Sequence, residues 1–240
     1  MKKLFSTTTV CATVMLAATL ACLAMVGCSD NNWANKTPTD EFDVSAGRKP
    51  TAQTMFSLAR ILVSQGKDQE ASVMLDRIIH QEPNFIPAYC ELSEILMRQQ
   101  DLDGAAKVLS AGLQVAPRQS LLWNNLGMCY LFAQKYDKAL ESFTVASGIA
   151  PSSAMYRSNM ATTLGMQGRY EEAMALYQQV LPMDEAHYNL GVVCQARNDM
   201  ARAKQEFDSA TAANPQIKAR LSATTAPAAP AIPVAARPIF

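Results

Sequence analysis

The chain has 240 residues, and its 21 basic and 21 acidic residues balance to a formal charge of zero. No basic stripe is present, which argues against nucleic acid as a partner. The two histidines, His80 and His187, have no metal-like spacing to cysteine or carboxylate, and no glycine-rich phosphate loop or nucleophile elbow occurs. We therefore expect no enzymatic activity, no cofactor and no small-molecule substrate.

The N-terminus has the layout of an export signal. Two lysines precede an uncharged run from Leu4 to Gly27, which ends in small residues before Cys28. A positive start, an apolar middle and small residues at its end are typical of a cleaved signal rather than of a spanning helix. Residues 1–27 are therefore predicted to be a signal peptide.

The end of this signal resembles the lipobox of bacterial lipoproteins, in which a peptidase cuts before a cysteine whose thiol has been diacylated. The stretch Leu-Ala-Met-Val-Gly-Cys places the small Gly27 directly before Cys28. The resemblance implies lipidation of Cys28, and two or three acyl chains would hold the protein firmly to a membrane. Ser29 follows the cysteine, which in enteric-type sorting implies the outer membrane. A conventional signal peptide cut nearby, or an uncut anchor, is the alternative.

The residues after Cys28 are polar and precede any regular pattern. Removal of the signal leaves 213 of the 240 residues with a net charge of −2, because the signal contains two basic and no acidic residues. Within residues 28–51 the large apolar Trp33 and Phe42 are isolated. We predict that residues 28–51 are a tether.

A period of 34 residues runs through the middle of the chain. Pro83, Pro117 and Pro151 are each separated by 34 residues, and small and large apolar positions keep the same register. Several independent classes of position therefore share one period, which indicates tandem structural repeats. The alanines in this register are Ala71, Ala105, Ala139 and Ala173. The predicted repeats are 52–85, 86–119, 120–153, 154–183 and 184–217.

Each repeat has the pattern of two antiparallel helices. A small residue in the first helix precedes the alanine of the second by twelve positions, so that the two helices can approach closely. This pattern resembles the tetratricopeptide repeat and implies an all-α solenoid of about five helix-turn-helix repeats, residues 52–217, with disordered termini. Repeat four lacks four residues, and Pro182 is predicted to end its second helix about one turn early and to change the superhelix curvature locally.

The C-terminal residues and the cysteines give weaker indications of structure and function than the repeats do. Residues 218–240 are rich in alanine and proline and are predicted to be a disordered tail, with a docking peptide at its end as the alternative. Cys90, Cys129 and Cys194 lie in first helices of different repeats, and we interpret them as small core residues. Cys90 is the exception, since its repeat position should face the groove.

Partner binding is expected on the concave surface that successive first helices form. The resemblance implies that repeat positions 2, 5, 9, 12 and 13 line this surface and that position 6 lies at its edge. In repeats two and three the lining positions hold Pro87, Cys90, Glu94, Met97, Arg98, Leu121, Asn124, Met128, Leu131 and Phe132.

Repeat three has apolar residues at lining positions that are not needed for packing between helices. Methionines of the neighbouring repeats flank these residues. Asparagines recur at position 6, where an amide is suited to hydrogen-bonding an extended peptide. Phe56 stands where relatives that clamp a C-terminal carboxylate have lysine, so such a clamp is not expected. The predicted partner-binding groove comprises Phe56, Met97, Leu121, Asn125, Met128, Leu131, Phe132, Met155, Asn159 and Met166. Burial of these residues by adjacent helices, by the tail or by a second copy is the alternative.

The layout of lipobox, short tether and repeat array resembles the TadD-type lipoproteins of tight-adherence (Flp) pilus assembly. This resemblance implies a lipid-anchored, periplasm-facing scaffold at the outer membrane, with secretin or pilus-assembly proteins of the cell envelope as partners. An adaptor that recruits or regulates cell-wall hydrolases or proteases is the second interpretation.

Overall fold

The computed structural model describes residues 50–224, with side chains to residue 221. The predicted signal peptide, nearly all of the tether including Cys28, and residues 225–240 lie outside this part of the chain. The described part contains eleven helices and no strand, which confirms the predicted all-α solenoid of five helix pairs. The helices are α1 (Ala52–Ser64), α2 (Asp68–Gln81), α3 (Ile86–Arg98), α4 (Leu102–Val115), α5 (Ser120–Phe132), α6 (Tyr136–Ile149), α7 (Ala154–Met166), α8 (Tyr170–Gln178), α9 (Met183–Ala196), α10 (Met200–Ala213) and α11 (Ile217–Thr224).

The turn inside each pair has the same backbone conformation. One residue per turn, at one repeat position, has a positive φ, which lets the chain leave the first helix and reverse direction. Glycine, which adopts this conformation without strain, is present in two of the five turns. The residues are Gly66 (φ 74°), Gln100 (65°), Gln134 (57°), Gly168 (86°) and Asn198 (64°).

Small residues bring the two helices of a pair into contact, as predicted. Ala139 and Phe143 of α6 are completely buried, and a Cβ atom on Gly127 of α5 would lie 2.6 Å from the Phe143 ring. Gly191 of α9 stands in the same relation to Phe207 of α10, also at 2.6 Å. The repeated small residues are therefore required by the distance between the helices.

The helices form two layers that position the candidate site. Each second helix packs between its own first helix and that of the next repeat, as α2 does between α1 and α3. The first helices α3, α5, α7 and α9 also contact one another in sequence. They form an inner layer. The inner surface is the side of this layer that faces away from the second helices.

Repeat four departs from the others as predicted. Helix α8 has nine residues, whereas the other second helices have 14. The backbone N–H of Leu181 bonds to the carbonyl oxygen of Tyr177 at 2.8 Å, and Pro182 then precedes α9. The accompanying change in superhelix curvature stays a prediction.

The C-terminal boundary differs from the prediction of a tail from residue 218. Helix α11 begins at Ile217, whose side chain is 1% exposed and packs in a cluster with Tyr188 and Ala210. Arg220 lies with its guanidinium 4.2 Å from the centre of the Tyr188 ring and also pairs with Glu185 at 2.5 Å. These contacts order residues whose composition alone indicated a disordered tail, and α11 covers the end of repeat five.

Candidate interaction surface

The apolar strip predicted on repeat three is mostly core, and this corrects the prediction. Met128 is 4% exposed and Leu131 is 7% exposed, and both belong to a cluster with Ala139 and Phe143. Phe132 packs against the same cluster and is half-buried. Met128, predicted to lie outside the packing positions, is therefore a packing residue.

Met128 and Leu131 are buried because side chains of the neighbouring first helix, α7, pack against their cluster. Met160 and Met166 of α7 also pack against the Met128 cluster. Long unbranched thioethers adapt to an irregular gap, so side chains from α7 close over a part of α5 that a single repeat would leave open. The structure thus brings Met128, Leu131 and Met166 together, but as a packed contact between repeats.

Leu121 is exposed, as its predicted place in the partner-binding groove requires. It lies in the first turn of α5 and is 39% exposed. Met155 occupies the equivalent position of α7 and is half-buried. These two side chains remain candidates for apolar contact with a partner.

The predicted groove residues of the first two repeats pack within the solenoid. The ring of Phe56 lies edge-on to that of Phe85, with ring centres 5.4 Å apart, and both pack against the core of repeat one. Met97 is half-buried against the core of repeat two. Phe56 therefore closes the junction between α1 and the turn that precedes α3.

The two predicted asparagines, Asn125 and Asn159, are linked across two helices through Asn124. Asn125 is 3% exposed and Asn159 is 1% exposed. Nδ2 of Asn159 donates to Oδ1 of Asn124 at 2.7 Å, and Nδ2 of Asn124 donates to Oδ1 of Asn125 at 3.2 Å. This chain of amides ties α7 to α5. In the part of the chain that the structure describes, the buried Oδ1 of Asn159 has no hydrogen-bond partner.

Glu94 is the unusual residue of the inner layer. It lies at the ninth position of repeat two and is 8% exposed, and its Oε1 is buried without a hydrogen-bond partner among residues 50–224. The pKa of its carboxyl is raised to about 8, chiefly by burial and also by the nearby Glu91, while Arg98 and Arg60 oppose the rise. A buried acceptor without a donor is costly, so Glu94 is suited to receive a hydrogen bond from outside the chain.

Sequence reasoning placed Glu94 and Asn124 among the lining positions without singling them out. The available signal was the type of residue. Glu94 is a carboxylate at position 9, where repeat three has Met128, and Asn124 is an amide at position 5, where repeat four has Ser158. The isolation of Glu94 Oε1 from donors and the bond that Asn124 accepts from Asn159 both depend on the side chains of adjacent repeats, which no single repeat specifies.

The three cysteines in the described part of the chain are buried. Cys90, Cys129 and Cys194 are buried free thiols, and burial raises the pKa of each, to about 12 for Cys90 and about 11 for the other two. Cys90 is thus core rather than exposed in the groove. Nδ1 of His187 lies 2.7 Å from Oε2 of Glu206. Across residues 50–224, no group of three or more histidine, cysteine, aspartate or glutamate side chains is placed to hold a metal ion.

No helix within residues 50–224 has the length and apolar character needed to cross a membrane.

Family comparison agrees with the repeat pattern. Two family models described as tetratricopeptide repeat match residues 118–186 and 159–216. Among curated proteins, the chain is 28% identical over 147 residues to the protein O-mannosyl-transferase TMTC1 of Homo sapiens. That match covers 59% of this chain and 17% of TMTC1, so the chain spans about a sixth of this relative's length.

Solved structures share the fold at low sequence identity. The crystal structure of YrrB, described as a TPR protein with an unusual peptide-binding site, has a TM-score of 0.53 at 18% identity and covers 75% of this chain and 95% of YrrB. TTC0263, a thermophilic TPR protein from Thermus thermophilus, has a TM-score of 0.55 at 15% identity and covers 72% of this chain and 98% of TTC0263. Both support a tetratricopeptide-repeat solenoid.

Proposed function

Because the chain folds as a tetratricopeptide-repeat solenoid, we propose that it is a protein-protein interaction scaffold whose inner surface binds a peptide segment of a partner protein. Solenoids of this type bind through extended concave surfaces and are typically not enzymes. The observation that carries the proposal is the buried, unpaired Oε1 of Glu94 in the inner layer. Because Oε1 is buried, a partner can satisfy this acceptor once the Glu94 side chain turns toward the inner surface.

The chemistry of the inner surface defines the partner segment. Glu94 and Asn159 each have an oxygen without a donor, so the segment supplies N–H groups from its backbone or from a basic side chain. Leu121, exposed in the first turn of α5, adds apolar contact at the side of this surface.

The proposed location of the scaffold rests on the N-terminal sequence. The apolar run that ends at Gly27-Cys28 supports a lipid-anchored protein of the cell envelope, at the outer membrane and facing the periplasm. Its layout of lipobox, tether and repeats supports a role in assembling a Flp or type IV-like pilus or a secretin complex. The adaptor for cell-wall hydrolases or proteases has the same anchor and fold, and differs in its partner.

The test is site-specific photo-crosslinking in the cells that produce the protein. A photoreactive amino acid replaces Leu121, and a matched variant carries it at Val73, which is 71% exposed on the second helix α2. Position 121 is expected to capture an envelope protein that position 73 does not, and Glu94→Leu, which removes the acceptor oxygens at similar size, is expected to reduce the yield severalfold. A secretin or pilus subunit supports pilus assembly, and a wall hydrolase supports the adaptor. Equal capture from both positions would overturn inner-surface binding.

A further inference from the structure

The apolar core of the solenoid is interrupted between repeats three and four. At the other junctions, buried side chains of each first helix belong to the core cluster of the preceding repeat. These side chains are Ala88, Leu92 and Ile95 of α3, Leu122, Leu126 and Cys129 of α5, and Ala186, Leu190 and Cys194 of α9. Within residues 50–224, the cluster of repeat three, which contains Met128 and Phe143, includes no buried residue of α7. Helix α7 reaches this cluster through the half-buried Met160 and Met166.

Hydrogen bonds join repeats three and four where the other junctions have a shared apolar core. The hydroxyl of Tyr156 donates to Oγ of Ser120 at 3.1 Å, and Nε2 of Gln167 donates to Oδ1 of Asp137 at 2.8 Å. The amide of Asn159 adds the bond to α5 described above. Opening this junction exchanges such bonds for bonds to water at little net cost, whereas separating a shared apolar core exposes it to water. The junction between repeats three and four is therefore the easiest of the four to open.

Helix α7 also carries buried polar atoms that the arrangement of repeats three and four leaves unsatisfied. Oδ1 of Asn159 and Nε of Arg157 have no hydrogen-bond partner within residues 50–221. Arg157 stands at the repeat position of Tyr89 and Trp123, which donate to the carbonyl oxygen of the proline in the preceding linker at 3.0 and 2.9 Å. Nε of Arg157 makes no such bond. Because buried polar atoms without partners are costly, they favour a movement of α7 that lets water reach them.

We propose that the solenoid consists of two rigid bodies that turn about the junction between α6 and α7. One body is repeats one to three, and the other is repeats four and five with α11. Hinges absorb such motion in a few residues at the ends of elements, which here are residues 150–153 between the two helices. The flexible thioethers of Met160 and Met166 adapt to a changing gap, so they keep contact with the core of repeat three as the angle changes.

The hinge lies within the inner surface, and its role in binding rests on the function proposed above. Leu121 of α5 and Met155 of α7 occupy equivalent repeat positions on either side of the hinge. The angle between the two bodies therefore sets the distance between these two apolar contacts. A peptide segment that touches both side chains selects one angle, so the hinge adapts the inner surface to its partner.

Distances between spin labels on the full-length protein test the hinge. Lys107, Glu141 and Ala175 are exposed at one repeat position, on the second helices of repeats two, three and four. Nitroxide-bearing amino acids replace residues 107 and 141, or residues 141 and 175, and double electron-electron resonance measures each distance distribution. The 141–175 pair, which spans the hinge, is expected to give a distribution about twofold wider than the 107–141 pair. Equal widths would overturn the proposal.

Removing the hydrogen bonds of the junction should affect one pair of labels. Tyr156→Phe with Gln167→Met removes two bridging donors at similar size, and is expected to widen the 141–175 distribution further while the 107–141 distribution stays as in the wild type. The control is Gln99→Met, at the position of repeat two equivalent to Gln167, where the side chain is exposed. It should leave both distributions unchanged. Equal widening of both pairs by the double variant would contradict a hinge at this junction.

The hinge and the proposed function fail separately. Equal widths in the wild type would exclude the hinge and leave crosslinking from position 121 intact. Loss of that crosslinking would exclude inner-surface binding and leave the difference in widths intact. The wild-type comparison involves no change at the junction itself, so the test does not depend on the folding of the Tyr156 and Gln167 variants.

Discussion

A Cβ atom on Gly127 would lie 2.6 Å from Cε1 of Phe143, so the backbone of α5 and the aromatic ring of α6 are in direct contact. Phe143 is completely buried among the side chains of the central repeat and has no space to move into. The contact therefore sets the distance between the two helices of repeat three. Because a solenoid distributes its stability over neighbouring interfaces, this distance also affects repeats two and four.

Gly127→Ala is expected to destabilise the protein despite the better helix propensity of alanine. The added methyl group would overlap the Phe143 ring, and overpacking of this kind costs about 1–3 kcal/mol. The matched control is Gly148→Ala in the last turn of α6, where a Cβ atom meets nothing within 4 Å. That change should stabilise the protein by up to about 1 kcal/mol. Urea unfolding of both variants measures the difference, and equal stabilities would show that the contact is relaxed in solution.

The amide chain between α5 and α7 is expected to couple repeats three and four. Asn124→Ala removes the acceptor of the buried Asn159 amide and should cost about 1–3 kcal/mol, because a buried donor is left without a partner. Adding Asn159→Ala should cost less than the sum of the single changes, with a coupling of about 1 kcal/mol in a double-mutant cycle. Asn84→Ala, at an exposed residue, should stay within about 0.5 kcal/mol of the wild type. Additive single and double mutants would contradict a direct bond between the two amides.

The fold was largely predictable because its determinants recur along the sequence. The 34-residue period places the first helices of repeats two, three and four at Ile86, Ser120 and Ala154, as observed. Helix α11 was not predicted, because a single covering helix has no repeat pattern and its stability depends on contacts with Tyr188 and Ala210. The repeat pattern predicted which positions line the inner surface but not how deeply their side chains are buried. The exposure of Met128, for example, depends on methionines of the next repeat.

Met128→Ser is expected to lower stability, contrary to its predicted role as a free groove residue. The side chain is 4% exposed and packs with Phe143, so its removal should cost about 2–5 kcal/mol, as for other large-to-small core changes. Met155→Ser, the same change at a half-buried position of α7, should cost clearly less. Thermal melting followed by circular dichroism distinguishes them. Similar melting of the two variants would mean that Met128 is accessible in solution and available to a partner.

Lipidation of Cys28 stays a prediction, because the residue lies outside the described part of the chain. Cells fed an alkyne-bearing fatty acid should label the wild-type protein and not Cys28→Ser. Cys90→Ser is the matched control, since Cys90 is a buried thiol and should not affect labelling. Equal labelling of the wild type and Cys28→Ser would rule out acylation at this cysteine and leave a conventional signal peptide as the explanation.

The pH dependence of stability should identify Glu94 as the buried acid of the inner layer. In the folded protein burial raises the pKa of its carboxyl from an ordinary 4.5 to about 8, with Glu91 adding to the rise and Arg98 and Arg60 opposing it. Between these two values the folded protein holds a proton that the unfolded chain has released. The contribution of Glu94 to the free energy of unfolding should therefore be fully present below about pH 4.5 and should be lost as the pH rises to about 8, by about 1.4 kcal/mol for each unit of pKa difference.

Glu94→Gln should remove this dependence because a neutral amide replaces the titrating carboxyl. The variant should have nearly the stability of the wild type at about pH 5 and exceed it by a few kcal/mol at about pH 9, where wild-type Glu94 is a buried charge. Glu82→Gln, at an exposed carboxyl after α2, should retain the wild-type slope. Urea unfolding across this pH range provides the measurement. If Glu94→Gln and the wild type lose stability in parallel, Glu94 is solvated in solution, and its Oε1 is then not an unpaired acceptor for a partner.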